Sequence, residues 1–306
     1  MSPDVLVIGE SLVDIVNAAD GEVKEYAGGS AANVAVALAR LDRPVRFATS
    51  FGDDDHGRLI GEHLREAGVR LATDPAAVER TSTAEATIGV DGAAEYVFDL
   101  EWRLNPVDLE PHPLVVHTCS LGAVLPPGAD SVHTLIEGLR EHATVSYDIN
   151  ARPAITGTGP DLVDRVERIV ALADVVKASQ EDLEALYPQL GLVKVAQRLL
   201  SLGPAAVVVT CGGDGAMWVG PEGVVEVKAR EVEVADTIGA GDTFGAALLD
   251  ALWEAGRLGA DQREALRTLD RDEVERLLEH ATHASAVTVS RPGADPPYRR
   301  ELPGLL

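Results

Sequence analysis

Apolar runs alternate with amphipathic stretches along most of the chain, and this pattern predicts strands and helices in turn. The run DVLVIG at Asp4–Gly9 is apolar after its first residue and ends in glycine, as is typical of a parallel strand buried on both faces. The stretch SAANVAVALARL at Ser30–Leu41 instead places Val34, Leu38 and Leu41 on one helical stripe. The same reasoning predicts strands at residues 45–50, 114–120, 144–150, 174–179 and 206–212, and helices around residues 56–67, 129–142, 160–173 and 181–201.

Strands that alternate with helices of this length predict the α/β fold class, with one domain at residues 1–306 built on a doubly wound, mainly parallel sheet flanked by helices. Ligands of such sheets bind beyond the carboxyl ends of the strands. Two stretches instead alternate with period two, at residues 12–29 and 83–103, the second with a hairpin-like Val-Asp-Gly turn at residues 90–92. We expect them to form a small β-sheet lid inserted into the domain.

The composition limits the kind of partner. The 306 residues include 50 acidic and 26 basic ones, for a formal charge of −24. This charge opposes binding to nucleic acid, because phosphate backbones are held by lysine and arginine. No apolar run reaches the roughly 18 residues of a membrane helix, and Cys119 and Cys211 match no metal spacing and are expected to be buried. The sequence predicts a cytoplasmic protein with no nucleic-acid or membrane partner.

The most informative motif for chemistry is VADTIGAGDTFGAALLDAL, at residues 234–252. Glycines on both sides of Ala240 allow a sharp turn at a helix start, so that Gly239, Ala240 and Gly241 can present N–H groups to an anion. Asp242 would stand beside this anion hole, where a carboxylate can take a hydroxyl proton while the N–H groups hold developing phosphoryl charge. The alternative from these residues alone is a tight turn with Asp242 as a helix cap.

This stretch resembles the C-terminal signature of the ribokinase/PfkB family of carbohydrate kinases, and GGSAANVAVALARL at residues 28–41 resembles the N-terminal signature. The resemblance implies a ribokinase-like fold, ATP and Mg²⁺ as cofactors, and Asp242 as the base that activates a sugar hydroxyl. It also implies that the sugar approaches closely at Gly28 and Gly29 and is hydrogen-bonded by Asn33. The segment GESLVDIV at residues 9–16 resembles the first strand of the family, in which Asp14 would bind sugar hydroxyls.

Shorter segments extend the resemblance. YDINARP at residues 147–153 resembles the Asp-x-Asn-x-Arg segment of fructokinases and 2-keto-3-deoxygluconate kinases, which implies that Asp148 and Asn150 face the substrate and that Arg152 lies near the phosphoryl group or the substrate. VVVTCGGDGAMW at residues 207–218 resembles the nucleotide-binding strand and turn. The resemblance therefore places ATP along Thr210, Gly212 and Gly215.

In the segment KASQED, Ser179 and Asp182 take the places of the asparagine and glutamate in the family's Asn-x-x-Glu region, which acts on magnesium through water. The same two residues match a capping box. Lys177 begins this segment and is assigned to the cofactor site.

Further downstream, residues 283–297 resemble the segment that closes over adenine. Many family members also hold a monovalent cation by backbone carbonyls, and Asp236 and Ile238 are the candidates here for such a K⁺ site.

Two features bear on the substrate. Ribokinases and kinases of phosphorylated sugars usually carry lysine after the paired glycines, whereas this chain has Ser30. The lid stretches supply few cations, chiefly Lys24 and Arg103, so a second phosphate would find little countercharge. A neutral sugar is favoured, with fructose phosphorylated on its 6-hydroxyl as the first choice.

The alternatives stay open at this point. 2-Keto-3-deoxygluconate is the second choice, because Arg103 and Arg152 could hold its carboxylate, and ribose is a further candidate. A non-catalytic sugar- or nucleotide-binding regulator on the same fold is a different class, which the intact Asp242 and glycine turn disfavour. A homodimer formed through the lid is the expected protein partner.

Overall fold

The apolar run at the start of the chain forms β1 (Val5–Ile8), and all four of its residues are buried. The structure is a computed structural model that describes residues 3–18, 22–88 and 94–304. β1 lies inside the main sheet, parallel to β4 (Val45–Ala48) on one side and to β8 (Val115–Cys119) on the other. A strand in this position is covered on both faces, which explains why its sequence shows no polar alternation.

The other strands of this sheet extend it in both directions. They are β5 (Arg70–Leu71), β9 (Thr144–Asp148), β10 (Val175–Ser179), β11 (Ala206–Thr210), β12 (Ala216–Gly220) and β13 (Gly223–Val227). In the described residues the sheet has nine strands, in the order β13-β12-β11-β10-β9-β8-β1-β4-β5. Pairing is parallel from β5 to β11 and antiparallel for β12 and β13. The parallel strands share one carboxyl edge, where ligands of such sheets bind.

Helices cover both faces of the main sheet. They are α1 (Ser30–Arg40), α2 (Asp55–Glu66), α3 (Ser120–Val124), α4 (Gly128–Leu139), α5 (Pro153–Thr156), α6 (Pro160–Val170), α7 (Gln180–Leu186), α8 (Leu192–Leu200), α9 (Ala240–Glu254), α10 (Arg263–Arg267) and α11 (Arg271–Val289). One apolar cluster joins α1, α9 and α11 to the sheet, and a second joins α4, α6 and α8 to the opposite face. Among the described residues no helix is long and apolar enough to cross a membrane.

The predicted fold class is confirmed, but one predicted helix was wrong. Residues 181–201 form two helices, α7 and α8, instead of one. Tyr187 ends α7 with a φ of −132°, because the residue before a proline, here Pro188, is disfavoured in helical conformation. Cys119 is buried as predicted, whereas Cys211 is only partly buried.

The two stretches with period-two alternation form a second, four-stranded sheet. Its strands are β2 (Leu12–Asn17), β3 (Val23–Gly28), β6 (Thr83–Ile88) and β7 (Ala94–Asp99), in the order β3-β2-β6-β7. β2 and β6 pair in parallel at its centre, which joins the two stretches of chain. The hairpin turn predicted at residues 90–92 lies outside the described residues.

A tight turn before α2 fixes the connection between the two sheets. The carboxylate of Asp54 caps α2 by accepting from the N–H of Gly57 at 2.8 Å, and it also accepts from the N–H and the hydroxyl of Thr81 at 2.9 and 2.6 Å. A Cβ on Gly57 would lie 1.9 Å from the carbonyl oxygen of Gly52. Close backbone approach therefore requires glycine at position 57, whereas Gly61 in the same helix has only one atom within 4 Å of such a Cβ, at 3.9 Å.

These two glycines give a matched pair of variants. We expect Gly57→Ala to lower the free energy of unfolding by about 1–3 kcal/mol, because the new methyl group overlaps backbone that cannot move freely. Gly61→Ala should leave it unchanged or raise it by up to about 1 kcal/mol, since alanine is the better helix former. Urea unfolding of both variants measures the difference, and equal stability would contradict the packing argument.

Candidate active site

Side chains from two distant segments hold the carboxylate of Asp242. Asp242 lies in the first turn of α9 and is 6% exposed. Its Oδ1 accepts from Ser30 Oγ at 2.7 Å and from Asn150 Nδ2 at 3.3 Å, and its Oδ2 accepts from Asn33 Nδ2 at 2.8 Å. Asn150 Nδ2 also donates to Ser30 Oγ at 2.8 Å. These donors fix the carboxylate in one orientation.

Local backbone geometry brings these donors together. Ser30 and Asn33 are three residues apart in α1 and therefore lie on one helix face. Gly29 precedes them with a φ of 98°, and a Cβ there would lie 2.9 Å from the carbonyl oxygen of Glu10, so the start of α1 packs directly on the chain after β1. Asn150 has a φ of 36°, in a region that asparagine tolerates better than most residues.

The turn before Asp242 is as sharp as its glycines predicted, but the N–H of Ala240, one of the three predicted anion donors, instead donates to the carbonyl of Thr237 at 3.3 Å. Gly239 is left-handed, with a φ of 72°, and α9 begins at the next residue. The N–H groups of Gly241 and Asp242 belong to the first turn of the helix, where no acceptor inside the helix is available and where the helix dipole is positive. Ser285 Oγ donates to the carbonyl of Ala240 at 3.1 Å and ties the turn to α11. This is the geometry of an anion-binding helix N-terminus; the anion itself stays a prediction.

Asp148 and Lys177 form a buried ion pair close to this turn. Lys177 Nζ lies 2.7 Å from Asp148 Oδ2, and the two side chains are 7% and 1% exposed. Burial lowers the pKa of Lys177, but the charge of Asp148 and its hydrogen bond raise it above the ordinary value. The sequence placed Asp148 in the substrate pocket; its side chain instead lies buried against Lys177, because the two residues are directly opposite in adjacent strands.

Ser179 and Asp182 form a capping box at the start of α7. Ser179 Oγ accepts from the N–H of Asp182 at 3.0 Å, and Asp182 Oδ2 accepts from the N–H of Ser179 at 2.8 Å. Asp182 Oδ1 accepts from the N–H of Ala151 at 2.8 Å, which links α7 to the segment after β9. Each carboxylate oxygen has room for a second hydrogen bond, so an additional contact of Asp182 with a metal-bound water stays a prediction.

Asp14 lies in β2 of the small sheet, opposite Tyr26 and Ala84 in the flanking strands. A Cβ on Gly28 would lie 2.3 Å from Asp14 Oδ2, so this glycine leaves the space that the carboxylate occupies. Burial raises the pKa of Asp14 to about 6, and the positive charge of Arg152 opposes that shift. The structure thus puts Asp14 and Arg152 within electrostatic reach of each other; sugar binding by either residue stays a prediction.

Glu10 is a candidate site residue that the sequence reasoning missed. It follows β1 and is 7% exposed, and its Oε2 accepts from the N–H of Gly122 at 2.6 Å. Burial raises the pKa of Glu10 to about 7, and the negative charge of Asp242 adds to this shift. Hydrogen bonds from the backbone N–H groups of Glu10 and Gly122 and the positive charge of Arg152 oppose the shift. The sequence does contain a signal for this residue, because Glu10 is a carboxylate just after the first buried strand of an α/β sheet, where ligands bind.

The two predicted substrate-side arginines lie in different surroundings. Arg103 is 55% exposed along its side chain and donates from Nε to Glu101 at 2.9 Å. Arg152 is exposed and has a contact of 3.4 Å with the carbonyl of Ala151. The charge of Arg152 acts on Glu10 and Asp14, whereas Arg103 is paired within its own loop.

The predicted nucleotide residues lie at the end of β11 and in the turn after it. Thr210 is the last residue of β11, and Gly212 and Gly215 have φ values of 52° and 109°. A Cβ on Gly215 would lie 2.0 Å from the carbonyl oxygen of Val227, so packing alone requires this glycine. A cavity of about 420 Å³ lies beside α11, lined by residues 230–232 and by His283, Ala286, Val287 and Ser290. It includes part of the segment that the sequence predicted to close over adenine.

The loop proposed to hold a monovalent cation is tied to the segment after α11. Asp236 Oδ1 accepts from the N–H of Ile238 at 3.0 Å, and Asp236 Oδ2 accepts from the N–H of Gly293 at 2.8 Å. The side chain of Asp236 therefore orders the backbone on both sides of the predicted site. Cation binding by Asp236 and Ile238 stays a prediction.

A buried carboxylate at a helix N-terminus, in an α/β domain with a second small sheet, is the arrangement expected of an enzyme that transfers phosphoryl groups to hydroxyls. The sequence profile described as pfkB family carbohydrate kinase matches residues 2–300, and the chain belongs to this family. The protein is accordingly a sugar kinase.

Individual relatives agree with this assignment. The chain is 32% identical over 260 residues to a fructokinase of Rhizobium leguminosarum bv. trifolii, covering 81% of this chain and 79% of the relative. It is 30% identical to a fructokinase of Escherichia coli, covering 99% of both.

Solved structures have the same fold. Fructokinase of Xylella fastidiosa with bound ATP superposes with a TM-score of 0.81 at 26% identity, over 99% of this chain and 95% of that one. A double mutant of the Vibrio cholerae fructokinase, with fructose, ADP and potassium bound, gives a TM-score of 0.73 at 26% identity, over 95% and 94%.

The raised pKa of Glu10 leads to a prediction about stability. The folded protein holds the proton of Glu10 more tightly than the unfolded chain does, since the pKa is about 7 rather than 4.5. The stability that this proton contributes is complete below the unfolded pKa and is lost as the pH rises through the folded one. Glu10→Gln mimics the protonated form, so the variant should gain about 2 kcal/mol over wild type between pH 5 and pH 8.

Urea unfolding at the two pH values measures this gain. Glu62→Gln removes an exposed carboxyl of α2 and is the matched control. A stability difference between Glu10→Gln and wild type that is the same at both pH values would rule out a buried, titrating Glu10.

Proposed function

We propose that the protein is an ATP-dependent fructokinase that phosphorylates the 6-hydroxyl of fructose, with Asp242 as the general base. The observation that carries this proposal is the carboxylate of Asp242, held by Ser30, Asn33 and Asn150 beside the glycine turn of α9. The fructokinases among its relatives support fructose as the sugar. ATP as the phosphoryl donor fits a cytoplasmic location.

In the proposed reaction Asp242 accepts the proton of the sugar hydroxyl as its oxygen attacks the γ-phosphorus of ATP. The bond from that phosphorus to the bridging oxygen of ADP breaks, and the products are ADP and the sugar 6-phosphate. The N–H groups of Gly241 and Asp242, with the dipole of α9, stabilise charge on the phosphoryl oxygens. Asp242 is the third residue of α9, so its side chain can accept the proton while its backbone N–H helps to hold the phosphoryl oxygens.

The residues for the cofactors follow from the same geometry. Mg²⁺ bound to the phosphates would neutralise part of their charge. The described residues contain no cluster of three or more His, Cys, Asp or Glu that could hold a metal ion. Mg²⁺ would therefore be bound mainly by the phosphates, and Asp182 would contact it through a water molecule. We place the adenine in the cavity beside α11, and K⁺ at the carbonyls near Asp236 and Ile238.

The side chains around Asp242 support a neutral sugar. Ser30 occupies the position after the paired glycines and donates to Asp242, so no cation stands there to bind a second phosphate. Arg103, which would have to turn inward to hold the carboxylate of 2-keto-3-deoxygluconate, is paired with Glu101. An unpaired carboxylate in a closed site costs several kcal/mol, and fructose avoids that cost.

The test compares kcat/KM for fructose, ribose, 2-keto-3-deoxygluconate, adenosine and fructose 6-phosphate, measured as ADP release under one set of magnesium and potassium conditions. We expect fructose to have the highest value, because its hydroxyls match Asp14 and Asn33 without adding charge. If ribose, adenosine or the phosphosugar exceeds fructose by tenfold or more, the argument from the pocket is wrong. The control is Asp242→Asn, which should fold and bind ATP as wild type does but turn over at least ~10²-fold more slowly.

The small sheet also supports a homodimer as the partner. Tyr26, Tyr96 and Phe98 lie on the same face of this sheet as Asp14, with Tyr96 62% exposed and its ring stacked on Phe98 at 6.0 Å between centroids. Such an exposed aromatic face is characteristic of an interface. We extend the proposal to a dimer in which this face packs against a second copy of the chain and the sheet closes over the sugar as a lid.

Sedimentation equilibrium tests the dimer. Tyr96→Glu should convert it to a monomer, because the new charge would be buried in the interface. Val97→Glu is the matched control, since Val97 is 65% exposed on the opposite face of the same strand. A wild-type protein that stays monomeric at tens of micromolar, or equal effects of the two variants, would refute this interface.

A further inference from the structure

A cavity lies between α4 and α6, two of the helices that cover the face of the main sheet opposite to α1 and α9. Its volume is about 270 Å³, slightly below the roughly 300–1,000 Å³ of pockets that hold drug-sized ligands. The apolar residues that line it are all buried: Ala123, Ala129 and Ile169. The polar lining includes His133 of α4 and two arginines of α6, Arg165 and Arg168. The cavity therefore offers a small ligand both apolar surface and N–H donors.

The two arginines of this cavity do not pair with the acidic residues of their own helix. Each has an aspartate four residues before it, at the spacing that favours ion pairs along a helix: Asp161 before Arg165 and Asp164 before Arg168. Arg165 pairs instead with Asp130 of α4, with 3.6 Å between Nη1 and Oδ1. Arg168 is exposed and, within the described residues, has no hydrogen bond or ion pair. Both guanidinium groups thus keep N–H donors for a ligand.

The charge of the cavity is opposite in sign to that of the chain. The chain has a formal charge of −24, whereas two arginines and one aspartate line the cavity. Arg165 and Arg168 are three residues apart on one helix face, where like charges repel each other. Asp130 offsets little of this repulsion, because its side chain is 75% exposed and surface ion pairs are weak. An anion between the two guanidinium groups would remove the repulsion.

We propose that this cavity binds a phosphate group, either free or as the monoester of a small molecule. A phosphate dianion matches Arg165 and Arg168, because each guanidinium can give two parallel N–H groups to phosphate oxygens. The imidazole of His133 can donate one more N–H. The carbon atoms of an ester would lie against the buried alanines, and the small volume favours a few carbon atoms over a nucleotide.

This site is separate from the proposed kinase reaction. Asp242 lies in the first turn of α9, which packs on the other face of the main sheet. Phosphate bound in the cavity therefore takes no part in the chemistry at Asp242. The binding experiments below compare variants of the cavity, so their result does not depend on which sugar the enzyme phosphorylates.

Calorimetric titration at constant ionic strength tests the site, with inorganic phosphate and glycerol 3-phosphate as the probes. Saturating β,γ-imido-ATP and Mg²⁺ are present throughout, so that neither probe binds beside Asp242. We expect at least one probe to bind wild type with a Kd of about 1 mM or lower. Arg165→Gln combined with Arg168→Gln should weaken that binding at least ~10-fold, because both charged donors are lost.

The matched control is Arg65→Gln combined with Arg276→Gln, which removes the same charge at two exposed positions of α2 and α11. This variant should bind the probes as wild type does. Equal weakening by the two double variants would show a general effect of net charge and would overturn the proposal. Absence of binding to wild type at ~10 mM of either probe would overturn it as well.

Asp130→Asn tests the geometry in the opposite direction. The variant frees Arg165 from its carboxylate partner and removes a negative charge that would repel the phosphate. We expect the Kd for inorganic phosphate to fall about threefold or more. Glu62→Gln makes the same change of charge on α2 and should leave the Kd unchanged. Weaker or unchanged binding by Asp130→Asn, or equal tightening by Glu62→Gln, would contradict a phosphate held beside Arg165.

The two probes distinguish the sources of the phosphate group. If glycerol 3-phosphate binds at least ~10-fold more tightly than inorganic phosphate, the apolar lining contacts the carbon atoms and the ligand is a phosphorylated metabolite. Equal affinities, both lost in the double arginine variant, would assign the site to free phosphate. Affinities that the double arginine variant retains in full would place the bound phosphate outside this cavity and refute the site.

Discussion

The hydrogen bonds to the Asp242 carboxylate are the constraint on which the site depends. They join the start of α1 to the start of α9, 212 residues apart in the chain for Ser30 and 209 for Asn33, and they add Asn150 from the turn after β9. Two helix N-termini and one strand end must therefore meet within a few ångströms. Left-handed glycines before both helices make this approach possible, because a side chain at Gly29 would collide with backbone and one at Gly239 with Ala294.

Electrostatics in this protein are local rather than global. The chain carries a formal charge of −24, yet its function as a sugar kinase requires that it hold a nucleotide with several negative charges. Short-range positive features lie near the sheet's carboxyl edge: the N–H groups at the start of α9, the buried Lys177 and the exposed guanidinium of Arg152. Charges at short range outweigh a more distant acidic surface that salt screens.

Sequence reasoning predicted the parts of the structure that rest on local pattern. β1 and α1 follow from apolar periodicity, and the turn before Asp242 follows from its glycines. The break between α7 and α8 was missed because apolar periodicity was weighted above Pro188, which ends the first helix. The deep burial of Glu10 and the pairing of Asp148 with Lys177 could not be predicted, since they depend on which strands become neighbours and how closely each side chain is packed. Asp182 is a case in which the local pattern was sufficient: the sequence matches a capping box with Ser179, and the structure contains that capping box.

The small sheet has a consequence for how this enzyme can change. Its central pairing, β2 with β6, joins two stretches separated in the chain by α1, β4, α2 and β5. No contiguous piece of the gene encodes the sheet alone, because residues 12–99 also contain α1, β4, α2 and β5 of the main domain, so the sheet cannot be exchanged by itself between kinases. A new acceptor preference must instead arise in place, through single substitutions on a scaffold whose two halves have to stay in register with each other. A crossover between the two stretches would pair β2 of one parent with β6 of another, so point mutation within the existing sheet is the more accessible route to new specificity.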